Sequence, residues 1–101
     1  MNTIWKYILT VSAINHIAMP ADGEIISCGV DGENNLCVWA EVNSDEEVKD
    51  QKLIAVGTGM ILPDERDDEI RQFIGSVTMP DGMVWHIYWY EHFDEEEDEN
   101  F

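Results

Sequence analysis

Lysine and arginine are nearly missing from this chain: five stand against 22 Asp and Glu, for a formal net charge of −17. A surface so poor in bases repels DNA, RNA and anionic membranes, so direct nucleic-acid or membrane binding is not expected. Cysteine is also scarce. Cys28 and Cys37 stand alone, nine residues apart, with no CxxC spacing to suggest a zinc framework. Reduced thiols in a cytoplasmic protein are the main expectation, and a Cys28–Cys37 bridge between paired strands is the lesser one. No apolar run is long enough to form a membrane-spanning helix. The opening MNTIWKYILTVSAINHIAMP has neither the basic start nor the apolar stretch of a secretory signal.

Catalytic patterns are absent too. Ser12, Ser27, Ser44 and Ser76 have no Gly-x-Ser-x-Gly context. The Gly57-Thr58-Gly59 stretch lacks the lysine of a phosphate loop and reads as a tight bend. His16, His86 and His92 have no metal-ligand spacing, and the acidic runs do not follow a calcium-loop pattern. Cys37 beside a strand histidine is better read as a structural thiol than as a nucleophile. Among the carboxylates only Glu41, next to Trp39 on a strand, invites comparison with a general acid, and an outward solvated position is the default. No metal, cofactor or enzymatic activity is therefore expected.

What the chain does have is apolar and aromatic bulk. Of 101 residues, 45% are hydrophobic, with four Trp, three Tyr and three Phe. That is enough for one domain with its own core. The periodicity is mostly two. Strands are expected at residues 3–9, 24–30, 36–42, 52–60, 70–79 and 83–90, and MPADG reads as the turn before the second. DGENN (31–35) should close a hairpin between the second and third, and Pro80-Asp81-Gly82 a turn between the last two. Gly75 marks a bulge or a close approach. In 36–42, Leu36, Val38, Ala40 and Val42 share one face, with Cys37, Trp39 and Glu41 on the other. The last strand is apolar on both faces and should be central or sandwiched. Residues 43–51 and 61–69 read as acidic loops, the first with room for a single helical turn. The expected fold is all-β, a compact antiparallel β-sandwich or small barrel of about six strands. Residues 1–90 form the domain and 91–101 a disordered acidic tail.

The ordered blocks IWKY, MPADGEII, LCVWAEV, GTGMIL, FIGSV and VWHIY resemble a family of small proteins found mostly in bacteriophage genomes and prophages, a domain of unknown function. The blocks cover most of residues 4–88. All are strand and turn residues, so the resemblance implies a small β-rich fold and a phage origin but no activity. The insert PDERDDE and the ending EHFDEEEDENF depart from the pattern.

The acid is not confined to the tail. Residues 91–101 hold seven acids, which leaves 15 against five bases in residues 1–90, a net −10. Charges after a sticky terminal strand protect its edge, and that accounts for the tail alone. Together with the phage setting, the body charge points to a surface that imitates phosphates. The expected partner is a host protein with a basic surface, such as a nucleic-acid-binding defence component, blocked in the host cytoplasm. The carrying residues would be Asp45, Glu46, Glu47 and Asp50 in one loop, and Asp64, Glu65, Asp67, Asp68 and Glu69 in the other. Asp94, Glu95, Glu96, Glu97, Asp98 and Glu99 would add the tail. Two alternatives are a small-ligand or sequestering module with a pocket lined by Trp5, Trp39, Trp85 and Trp89, and a homo-oligomeric accessory protein joined through aromatic faces.

Overall fold

The computed structural model describes residues 1–93. It contains seven strands: β1 (Asn2–Ile8), β2 (Ala13–Pro20), β3 (Glu24–Val30), β4 (Leu36–Asn43), β5 (Val48–Gly57), β6 (Glu69–Thr78) and β7 (Val84–His92). They form two sheets, one ordered β1-β4-β3 and one ordered β2-β5-β7-β6. Every pairing is antiparallel. The all-β sandwich is as expected, with one strand more. No helix among the described residues is long and apolar enough to cross a membrane.

The core follows from strand alternation. Leu36, Val38, Ala40 and Val42 of β4 are buried together, facing Leu53 and Ala55 of β5 and Trp85, Ile87 and Trp89 of β7. β7 is central, as its two apolar faces require. Its other face has a separate cover: the segment after β5 folds back over the four-stranded sheet, and Leu62 packs on Ile54, Val56 and Tyr90. The Tyr90 hydroxyl donates to the Pro63 carbonyl and pins this segment. Burial on both faces explains why Leu53 to Gly57 are five consecutive buried residues.

The extra strand is β2. Its alternation is masked because Asn15 turns inward while Ile14 turns out, 54% exposed. Asn15 is satisfied locally: its amide donates to the Thr10 and Ala13 carbonyls, and its oxygen accepts the Thr10 N–H. Pairing with β2 also draws polar residues into β5. Pro20 pairs with Val48 and Ala18 with Asp50, so residues 48–51 are strand rather than loop. Met19 and Pro20 likewise end a strand, and Glu69 begins β6. In the turn after β2 the positive φ falls on Asp22 (66°), not on Gly23. The β6–β7 turn places it on Gly82 (90°), as its sequence demands.

Two register features tie the sheets together. β6 shifts register between Phe73 and Gly75, and Gly75 lies directly against Cys28 of β3, where an added Cβ would meet Sγ at 2.6 Å. Bulge and close approach therefore coincide. At the opposite side the Tyr7 hydroxyl donates to the Ala18 carbonyl at 3.0 Å, linking β1 to β2. Both thiols are free. Cys28 pairs with Val38 and Cys37 with Gly29, so the two side chains leave opposite faces of the hairpin and the alternative of a bridge fails.

Candidate functional site

Chain topology decides where the acids go. β2 ends, β3 begins, β4 ends, β5 begins, β6 begins and β7 ends at the same pole of the sandwich: short links join β2 to β3 and β4 to β5 across the sheets, and antiparallel pairing sets the end of β7 beside the starts of β5 and β6. Asp22, Glu24, Glu41, Asp45, Glu46, Glu47, Asp50, Asp67, Asp68, Glu69 and Glu91 all belong to these strand ends and links, eleven of the 16 acids among the described residues. The other pole holds only Asp31, Glu33 and Asp81 in its turns, and Asp64 and Glu65 lie on the segment crossing the four-stranded sheet. Asp45, Glu46, Glu47 and Asp50 of the first expected loop thus share an end of the sandwich with Asp67, Asp68 and Glu69 of the second, without its Asp64 and Glu65, and β7 ends there as well. Asp94 to Glu99 lie outside the described residues.

The acidic links are held in place. Asn43 Oδ1 accepts the Asp45 N–H at 3.1 Å and the N-terminal amine at 2.7 Å, and that amine also contacts Asp45 Oδ2 at 2.8 Å. In the second loop Glu65 accepts the Arg71 backbone N–H at 2.6 Å, and Asp68 faces His92 at 3.0 Å. Glu69 accepts the Arg66 N–H and pairs with Lys52, both at 3.0 Å. Burial works to raise the Glu69 carboxyl, but the Arg66 N–H and the Lys52 ammonium outweigh it and hold the carboxyl below its ordinary range. Glu46, Glu47, Asp64 and Asp67 point into solvent.

Like charges are set against one another at this pole. Glu24 and Glu41 are direct cross-strand partners, an arrangement that costs stability. Glu91 is half-buried near them, and burial together with the Glu24 charge pushes its carboxyl above the ordinary value. Glu41 itself is exposed, with no apolar pocket of the kind that makes a general acid.

One cleft of about 520 Å³ at this pole differs from its surroundings. Its floor is a cross-strand row, with His16 paired to Lys52 and Lys52 to Tyr90. Ile14, Asp50 and Gln51 line one side, and Arg66, Glu69 and His92 the other. His16 Nδ1 lies 2.9 Å from Asp50, and the Lys52 ammonium sits 5.0 Å over the Tyr90 ring. These residues are scattered in sequence, where His16 and His92 lack metal-ligand spacing and Asp50 and Glu69 read as loop acids.

The four tryptophans do not converge. Trp85 and Trp89 are core residues, 8% and 7% exposed, and Trp5 packs against the same core. Trp39 lies on the outer face of the three-stranded sheet, over Gly29. The pocket drawn from all four is corrected accordingly: they stack as core and surface, with the Trp89 Nε1–H spent on Gln51 at 3.0 Å. His86 lies away from both cysteines, between the Thr58 and Ser76 hydroxyls at 2.7 Å each. Among the described residues no group of three His, Cys, Asp or Glu is placed to hold a metal ion.

Fold and pole together define an all-β antiparallel sandwich with one strongly acidic end. Over residues 1–98 the chain matches the family described as Domain of unknown function (DUF7352), and it belongs to that family. The matched span includes the 61–69 segment and most of the tail. No curated protein and no solved structure matches the chain.

Proposed function

We propose that this is a non-enzymatic, phage-encoded protein that binds and blocks a host protein through its acidic pole, as a mimic of nucleic acid. The observation that supports this reading is the gathering of eleven acids from six strand ends and links at one end of the sandwich. Solubility alone would be served by acids spread over the surface, and it gains nothing from opposing Glu24 to Glu41 across a strand pair. A rigid sheet end presents carboxylates about 5 Å apart across strands and about 7 Å apart along them, a density comparable with a phosphate backbone. The fitting partner is a basic nucleic-acid-binding protein in the host cytoplasm, such as a defence component. Attraction would steer the encounter, and competition with nucleic acid would block the target.

The test is capture from host lysate on the full chain, on a chain ending at Phe93, and on a chain with Asp45, Glu46 and Glu47 changed to Lys. A nucleic-acid-binding protein should be retained at low salt, released by high salt and by duplex DNA, and lost with the charge reversal. Retention by the chain ending at Phe93 would assign the activity to the body, and loss would assign it to the tail. Capture that survives both salt and charge reversal, or no capture at all, would sink the mimic.

A further inference from the structure

The cleft beside Lys52 gathers basic side chains next to the carboxylates of Asp50 and Glu69. Lys52, Arg66, His16 and His92 line it, half of the chain's eight Lys, Arg and His side chains. The two neighbouring cavities are lined by carboxylates and by no lysine or arginine. We propose that this cleft binds a small phosphate monoester. The inference goes beyond the acidic-partner reading and does not rest on it.

The carboxylates in the cleft are already engaged. Asp50 faces His16 at 2.9 Å, and Glu69 is bonded to Lys52 and to the Arg66 backbone N–H. The cations are not used up in the same way. Among the described residues the Arg66 guanidinium forms no salt bridge, and its planar donor fork suits two phosphate oxygens at once. The Lys52 ammonium is fixed by Glu69 and the Tyr90 ring, with donors to spare beyond the one it gives Glu69. His16 and His92 each engage a carboxylate through Nδ1. Asp68, beside the cleft, is likewise engaged by His92 at 3.0 Å.

Size selects a monoester over free phosphate. At about 520 Å³ the cleft falls in the range of small-molecule sites and far exceeds a bare phosphate. Ile14, 54% exposed at its rim, offers apolar contact to an organic group.

The test is an amide NMR titration of the full chain with inorganic phosphate, adenosine monophosphate and adenosine. Both phosphate-bearing probes should shift the same amides around Lys52 and Arg66 saturably. The monoester should bind at least about 10-fold tighter than inorganic phosphate, a difference of about 1.4 kcal/mol, and adenosine should shift nothing there. Arg66→Ala keeps the backbone N–H that serves Glu69 and should weaken the monoester at least about 10-fold with the melting temperature unchanged, while Arg66→Lys should fall between. Three outcomes overturn the proposal: no saturable shift with either phosphate, equal binding of adenosine, or wild-type affinity in Arg66→Ala. None of them bears on capture of a basic partner, so the two readings fail separately.

Discussion

Gly75→Ala tests the seam between the sheets. The residue follows the β6 bulge, and its φ lies outside the left-handed region, since Gly59 and Gly82 are the glycines with positive φ. Alanine therefore meets no backbone penalty, and only space matters. The new methyl would sit 2.6 Å from Cys28 Sγ, where ordinary contact needs about 3.5–4 Å. About 1 Å must be found by rotating a half-buried thiol or by parting β3 from β6. Forced overpacking of this kind costs about 1–3 kcal/mol. In a domain of this size each kcal/mol moves the melting midpoint by about 4–8 °C. Cys28→Ala alone should cost about 1 kcal/mol for one lost buried group. Combined with Gly75→Ala, the methyl occupies the vacated space, and the less flexible unfolded chain returns about 0.4–1 kcal/mol. The double variant should then be at least as stable as Cys28→Ala. Urea unfolding followed by tryptophan fluorescence yields all four values of the cycle. A neutral Gly75→Ala, or a double variant that merely adds the two losses, would refute the close approach.

Burial predicts opposite fates for two aliphatic residues. Leu53→Ala, at a position with no exposure, should lose about 2–5 kcal/mol in urea unfolding, whereas Ile61→Ser, at 89% exposure, should stay within about 0.5 kcal/mol of wild type. Asp31 supplies an acid-sensitive contact. The Asn35 backbone N–H, then Lys6 and the Glu33 N–H, hold its carboxyl well below the ordinary 3.8. The unfolded group takes up its proton first as pH falls, so this stabilisation is present above about pH 4 and is lost progressively below it. Asp31→Asn should flatten that part of the stability–pH curve, and an unchanged acid limb would contradict the pairing. Glu91 runs the other way. Its folded carboxyl is raised by burial and by Glu24, so the folded state binds the proton more tightly and stability falls as pH rises past the ordinary carboxylate range. Glu91→Gln should raise the melting temperature at neutral pH and lose that advantage at pH 4, and an equal effect at both values would exclude the like-charge cause.

Legibility in the sequence tracked how local the cause was. The β3–β4 hairpin could be read because DGENN supplies its turn and β4 alternates cleanly. The burial of Leu36, Val38, Ala40 and Val42 followed from that alternation alone. β2 could not be read, because Asn15 satisfies its polar groups within five residues and so can face inward, which breaks the pattern that marks a strand. The start of β5 was hidden for a different reason. Val48 to Gln51 look like a loop by composition and become strand only because β2 offers them a partner. Both errors have one source, since missing β2 removes the strand that recruits Asp50. The tryptophans misled in the opposite sense: four large aromatics suggest a pocket, but Trp5, Trp85 and Trp89 serve the core and Trp39 lies outside it.

The acidic pole shows how far composition reaches. A count of charges separates body from tail, but it cannot say that Asp22, Glu41, Asp50 and Glu91, spread over some 70 positions, share one end of the fold. That depends on which strand ends are linked across the sheets. Pairing within the four-stranded sheet brings His16, Lys52 and His92 into one cleft within the acid, with Arg66 from the segment before β6. The arrangement carries a cost, since Glu24 opposes Glu41 across a strand pair. Core burial between the sheets offsets that cost without needing the acids for packing, because the core clusters are built from hydrophobic residues. On the proposed reading, the Glu24–Glu41 opposition is kept for contact with a basic partner rather than for the fold. Neutralising Glu24 and Glu41 together therefore separates the two roles: stability should rise while capture of a basic partner weakens, and a pair of changes that left both untouched would reduce the pole to solvation.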